Sequence, residues 1–311
     1  MRVHLCSLAI LTLCLLGTAC SDRPEPDLNP SPGKQIITAE TAAREAEVEV
    51  LMERQEQRFA ALSLQAPRER LAAERAMGKE LLNLASEAVG TRSENKALFW
   101  LASWQLYHNH GVGAEDTLAR LAACPTQTLK QVGRRLKIDW LLSQGRVPEA
   151  RAQATSLAEE IPEFSRLDLV AFHERVGQAA PRTAGESLAG GVDDPATRPE
   201  AWLLYVLVGN IDDNTSFQLE RYLAAAPAGL RVVCVCGDPS PLNAKRRWNS
   251  IPGSARGDLL WANPNAGGDA AAWAAAWSPP GGIVTALLGD APKRRIMAVM
   301  VDPDDLALAI Q

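Results

Sequence analysis

Trp202 to Val208 reads WLLYVLV, and the eight residues that follow read GNIDDNTS, from Gly209 to Ser216. The first run is apolar without interruption and of strand length, so it suits a strand covered on both faces. The second is polar and turn-forming. Phe217 to Ala226 then has helical character and is closed by Pro227, which cannot continue a helix. Leu230 to Cys236 (LRVVCVC) is another β-branched run. A strand, a helix and a second apolar strand in this order predict an α/β sheet with helices packed on it.

The same pattern continues towards the C-terminus. Asp269 to Trp277 (DAAAWAAAW) is a helix by alanine propensity, with Trp273 and Trp277 on one face. Ile296 to Val301 (IMAVMV) is a further strand, and Asp302-Pro303-Asp304-Asp305 turns the chain into Leu306 to Ile310. This α/β domain spans 201–311. Before it, Pro181 to Glu200 holds three Pro and three Gly and reads as a linker over 181–200.

Residues 37–180 read as helical. Between Glu40 and Leu64 there is neither Gly nor Pro, and Val48, Leu51, Met52, Phe59 and Leu62 recur at helical spacing. Pro67 opens a second helix, which Gly90 closes, and Ser93 starts a third that carries Trp100 and Trp104. Gly111 and Gly145 each follow an aromatic, leucine-containing helix. In the second of these units, Gly145, Ala150, Leu157 and Pro162 stand at spacings that resemble a tetratricopeptide repeat; the first unit has Asp116 where the matching alanine would be. The resemblance implies helical hairpins whose small residues let antiparallel helices approach. Such arrays bind peptides or proteins, and they equally serve as braces for a neighbouring domain.

The order WLLYVLVGN, RVVCVCGD, GDLLWANP, AAAWAAAW and IMAVMVDPDDLALAI resembles the thioredoxin-like fold, in particular its membrane-anchored, extracytoplasmic redoxin branch. The fold class expected is thus α + α/β, a helical-hairpin domain followed by a small thioredoxin-like α/β domain. That family places Cys-x-x-Cys at the start of the helix after the first strand, where the helix N-terminus lowers the thiol pKa. Here that place holds Gly209 to Ser216, which has no cysteine. The proline that flanks such a site has only Pro292 as a counterpart before the Ile296 strand. The resemblance therefore implies a non-catalytic relative.

The N-terminus carries an address. Arg2 is followed by an apolar stretch from Leu5 to Leu16, too short to span a bilayer, so residues 1–19 read as a removable signal peptide. Leu16-Gly17-Thr18-Ala19-Cys20 resembles the lipobox of bacterial lipoproteins, with Gly17 where leucine is usual. This implies lipidation at Cys20 and a membrane anchor. Gly17-Thr18-Ala19 also suits an ordinary signal peptidase that would leave Cys20 bare. The following tether, 20–36, contains Pro24, Pro26, Pro30 and Pro32 and has nothing to pack. Ser21, in place of the aspartate that retains lipoproteins in the inner membrane, leans the expected location to the outer membrane, facing the periplasm.

Other residues were weighed for chemistry. After export, Cys124, Cys234 and Cys236 remain. Cys234 and Cys236 point to one face of their strand, which suits core packing, and a redox pair is the alternative. Asp212, Asp213, Asn214 and Thr215 form either a helix cap or a small-ligand site at the helix terminus. Paired acids after a first strand also occur in phosphorylation receiver domains, but the partner aspartate and lysine of that site are not evident. His108 and His110, at i and i+2, do not share a helical face, and no third ligand stands near them, so no metal or other cofactor is expected. Lys245-Arg246-Arg247 and Lys293-Arg294-Arg295 read as solvated basic clusters. The chain has 32 basic and 37 acidic residues, a net charge of −5, which gives no electrostatic case for nucleic acid. The reading that results is a non-catalytic, lipid-anchored protein-interaction or scaffolding module, with an extracytoplasmic thiol-disulfide oxidoreductase as the alternative. The protein partner is not specified by sequence.

Overall fold

The structure is a computed structural model that describes residues 39–108, 113–162, 166–180, 185–187, 192–262, 283–291 and 293–310. The signal and tether with Cys20, as well as Gly111, His110, the Asp269 to Trp277 segment and Pro292, lie outside the described residues. Compactness divides the chain into residues 7–136 and 137–311, with the boundary inside a helix.

In the first unit, α1 (Ala39–Ser63) buries Val48, Met52, Phe59 and Leu62 along one stripe, the face its periodicity predicts. The stretch from Pro67 to Gly90, expected as one helix, is two: α2 (Pro67–Ala76) and α3 (Gly78–Glu87), which part at Met77. Then come α4 (Glu94–Tyr107), α5 (Ala114–Ala122) and α6 (Gln127–Ser143), whose last residues belong to the second unit. Cys124, just after α5, is buried as a core residue.

The second unit continues with α7 (Val147–Glu160) and α8 (Leu167–His173). Gly145, at φ +71°, ends α6: its N–H donates to the Leu142 carbonyl (3.0 Å), and that of Arg146 to the Leu141 carbonyl (2.9 Å). That pair of bonds requires a left-handed residue, which explains the glycine. Ala150, Ala154 and Leu157 are fully buried along one side of α7.

The sheet comprises β1 (Gly185–Ser187), β2 (Val192–Asp193), β3 (Trp202–Val208), β4 (Leu230–Cys236), β5 (Gly257–Trp261), β6 (Val284–Gly289) and β7 (Arg295–Val299). Their order is β2-β1-β5-β4-β3-β6-β7. β3, β4 and β5 are parallel, while β6 and β7 form an antiparallel hairpin beside β3. Helices α9 (Asp213–Ala225) and α10 (Pro241–Asn249) connect the parallel strands, and α11 (Leu306–Ala309) follows β7. The fold class is α + α/β as expected, a helical region followed by a mixed α/β sheet. Strand β6 (VTALLG) was not read from the sequence.

Sheet faces follow the two-residue period. Leu204, Val206 and Val208 of β3 and Leu230, Val232, Cys234 and Cys236 of β4 join Leu219, Tyr222 and Leu223 of α9 and Trp248 in one core. Tyr205, at the opposite parity, is fully buried on the other face.

The 181–200 stretch needs correction. Among its described residues, 185–187 and 192–193 are strands of the sheet instead of a linker. β1 pairs with β5, β2 pairs with β1, and the residues just before, Gly177 to Ala180, bond along the outer side of β7. Both flanks of the parallel core are thereby covered, as exposed sheet edges demand. The second basic cluster is corrected too. Arg294 has φ +49°, is 1% exposed, and donates to the carbonyls of Pro195 (3.0 Å), Ala201 (3.0 Å), Arg198 (2.8 Å) and Glu200 (2.5 Å). A guanidinium has five donors in a fixed fork, so one buried side chain satisfies four backbone acceptors.

Candidate functional site

The parallel strands β3, β4 and β5 end at one edge of the sheet, where α9 begins. Asp212, extended at ψ −175°, caps α9: its Oδ1 accepts the Thr215 N–H at 2.7 Å. The helix starts at Asp213, four residues earlier than Phe217, because this cap satisfies an N–H that the first turn leaves open. Asp213 is exposed and accepts from Arg247 of α10 at 3.1 Å. Ile211 is buried between the strand end and the helix. Of the four residues weighed as a ligand site, Asp212 and Thr215 are thus engaged in the cap, and Asp213 in an ion pair. Asn214 makes contacts of its own.

The neighbouring loops are tied together just as firmly. The Gly237 N–H donates to the Val208 carbonyl (2.9 Å), and the Ala262 N–H to the Cys236 carbonyl (2.9 Å). Asp238, 6% exposed, accepts from the Ser240 N–H (2.8 Å) and from Asn243 Nδ2 (3.1 Å), while its carbonyl accepts the Trp261 indole N–H (2.8 Å). Asp212, Asp213 and Asp238 are thus each committed to their own loop or to a neighbouring cation.

Cys234 and Cys236 sit one strand away from the α9 terminus, in the core. Neither is exposed and both are unpaired. Burial pushes the Cys234 thiol well above its usual range, and the neighbouring Cys236 adds to the effect. Burial likewise raises Cys236 to about 11, against the pull of a hydrogen bond from the Asp238 backbone. A thiol held protonated and away from solvent is a poor nucleophile. The strand period brings the two to the same face, as expected, but into apolar surroundings.

On the opposite face lies a polar network that sequence reasoning missed. The Tyr205 hydroxyl donates to Asp193 Oδ2 at 2.8 Å. Arg198 bridges Asp193 Oδ1 (Nε, 2.8 Å) and Asp258 Oδ2 (Nη1, 2.7 Å), and Arg231 grips Asp258 through Nε (3.0 Å) and Nη2 (2.7 Å). Burial raises the Tyr205 pKa, and the adjacent Asp193 carboxylate raises it further. Burial works to raise Asp258 as well, yet hydrogen bonds from Arg231 and Arg198 hold it below the usual carboxylate range. The period-2 parity of Tyr205, Arg231 and Asp258 was a readable signal, since it points two charges and a hydroxyl to one face. Their partners Asp193 and Arg198 come from the supposed linker. This cluster fastens that stretch to the sheet and contains no nucleophile at its ordinary reactivity.

Among the described residues, no three or more His, Cys, Asp or Glu side chains gather as a metal set, and no helix is long and apolar enough to cross a membrane. His108 stacks with Trp104 (ring centroids 5.4 Å apart) and Tyr107 (4.7 Å).

No protein-family model matches the chain, and no curated protein sequence does. Solved structures do. The thioredoxin domain of a thiol-disulfide oxidoreductase from Bacteroides vulgatus is 16% identical over 43% of this chain and 94% of its own, with a TM-score of 0.35. A thiol:disulfide interchange protein from Bacteroides sp. is 17% identical over 42% of this chain and 85% of its own, with a TM-score of 0.35. A thioredoxin-like protein from Bacteroides caccae is 12% identical over 92% of this chain and 98% of its own, with a TM-score of 0.39.

Proposed function

We propose that this chain is an exported, lipid-anchored protein of the bacterial envelope, facing the periplasm from the outer membrane. In this reading its thioredoxin-like unit has given up catalysis and serves with the helical region in protein interaction or scaffolding. The observation that carries the non-catalytic part is the α9 N-terminus. The position where a thiolate would gain from the helix end is filled by Asp212 as a cap, and the nearest thiols, Cys234 and Cys236, are buried and protonated. The anchor rests on Cys20 and the proline-rich tether behind it. Repeat-like helices such as the α6–α7 pair support an interaction role by the surfaces they form.

The catalytic part is tested by insulin reduction with the full chain under dithiothreitol. The expected rate equals the dithiothreitol background, and Cys124, Cys234 and Cys236 react with a thiol reagent only after denaturation. Turnover above background that disappears in Cys234→Ser or Cys236→Ser would replace this reading with the thiol-disulfide oxidoreductase. The anchor is tested in a bacterial host: the wild-type chain should take up radiolabelled palmitate and fractionate with membranes, and Cys20→Ser should do neither. Unchanged labelling in Cys20→Ser would remove the lipid anchor.

A further inference from the structure

The break between α2 and α3 has a specific cause. The Glu74 carbonyl, near the end of α2, accepts from the Met77 N–H (3.2 Å) and also from the Trp104 indole N–H of α4 (2.7 Å). A side-chain donor that enters the ladder of a helix bends it there. The Trp104 ring lies directly against Gly78, the first residue of α3, where any Cβ would overlap the ring. Trp104 is thus a wedge seated in the bend, admitted by a glycine.

The Glu74 side chain stands at the same point. It is 2% exposed, and its Oε1 has no hydrogen-bond partner. From its own helix, Arg70 is one turn back, with Nε at 3.7 Å from Oε1. From α4, Trp104 donates to the Glu74 backbone carbonyl, and the titratable His108 packs against the Trp104 ring. On α1, α3 and α4, Arg58 pairs with Glu80, Lys96 with Glu56, and Arg44 donates to the Glu87 carbonyl, so none of these three cations is committed to Glu74. A carboxylate with one bare oxygen in such a place costs far more than the neutral acid does.

We propose that the α2–α3 bend is a proton-operated hinge, in which neutral Glu74 holds the Trp104 wedge seated and ionised Glu74 loosens it. Burial raises the Glu74 pKa to about 7, although Arg70 lowers it somewhat, so the change falls near neutrality. The sign follows from linkage. The folded state keeps a proton that the unfolded chain releases near pH 4.5, so the stabilisation is complete at acid pH and is lost as pH rises through about 7.

The test follows the Trp104 indole N–H signal of the 15N-labelled full chain between pH 5 and 8.5. His108→Gln is the background throughout, so that the stacked imidazole does not contribute, and Trp104→Phe assigns the signal. The expected result is a shift or broadening of the Trp104 signal with a midpoint near 7, absent in Glu74→Gln. Arg70→Met should move the midpoint upward, because it removes the one cation that favours the carboxylate. It also serves if Glu74→Gln does not fold. A Trp104 signal that stays constant over this range, or that titrates alike in Glu74→Gln, would overturn the hinge; so would an unmoved midpoint in Arg70→Met.

Discussion

Replacing Arg294 with methionine should destabilise the second unit by about 4 kcal/mol. The side chain is 1% exposed and supplies donors to four backbone carbonyls, of Pro195, Arg198, Glu200 and Ala201. Methionine keeps much of the volume but removes the donors, and each carbonyl that water does not reach then costs roughly 1–3 kcal/mol. Some will regain water, which is why the sum is not simply four such penalties. Lysine should recover only part of the loss, since its ammonium has three donors around one point instead of a planar fork. Glycine provides a further control. It removes the strain of a non-glycine residue at φ +49°, yet it should be as damaging as methionine if the carbonyls are what matter. Urea unfolding followed by circular dichroism reads the effect. A loss below about 1 kcal/mol for Arg294→Met would mean that the 195–201 segment holds without the guanidinium.

The second large effect concerns where the chain can be cut. A fragment that starts at Ala201, the domain the sequence suggests, should fail to fold cooperatively. One that starts at Thr126 and so retains all of α6 should fold. The shorter piece lacks β1, β2 and the Gly177–Ala180 cover of β7, and so exposes both sides of the sheet. It also strands the Tyr205 hydroxyl without Asp193, and Arg294 without the Pro195, Arg198 and Glu200 carbonyls. The longer piece contains the whole compact unit 137–311. Calorimetry and the dispersion of amide signals distinguish the two. A fragment 201–311 with a sharp transition would show that the 177–200 segment is an accessory.

How much of this was legible depends on the range of the interaction. Residues Val48, Met52, Phe59 and Leu62 announce the buried face of α1, because helical periodicity is carried by near neighbours. The apolar runs 202–208 and 230–236 announce central strands for the same reason, and Asp212 sits where a cap belongs. At the candidate site, the absence of a thiol from Gly209 to Ser216 was plain in the sequence. The bend at Met77 was not, because it is made by Trp104, thirty positions along the chain from Glu74. β6 is not announced, because VTALLG carries Ala286 and Gly289, residues of low strand propensity, and its strand depends on pairing with β3.

The sequence by itself determined the helical first part, the parallel βαβ core, the capped and thiol-free start of α9, and the shared face of Cys234 and Cys236. These depend on the 3.6- and two-residue periods and on capping chemistry, all local properties. Only the tertiary structure decided that residues 185–187 and 192–193, inside a glycine- and proline-rich stretch, join the sheet and that Arg294 is interior. Two- and three-residue strands have no propensity of their own. They exist because β5 offers an edge to pair with. Arg294 is buried because carbonyls 93 to 99 positions away in the chain converge on it. A basic triplet looks solvated until the fold supplies such acceptors, since burying a cation is costly unless its donors are paired or hydrogen-bonded.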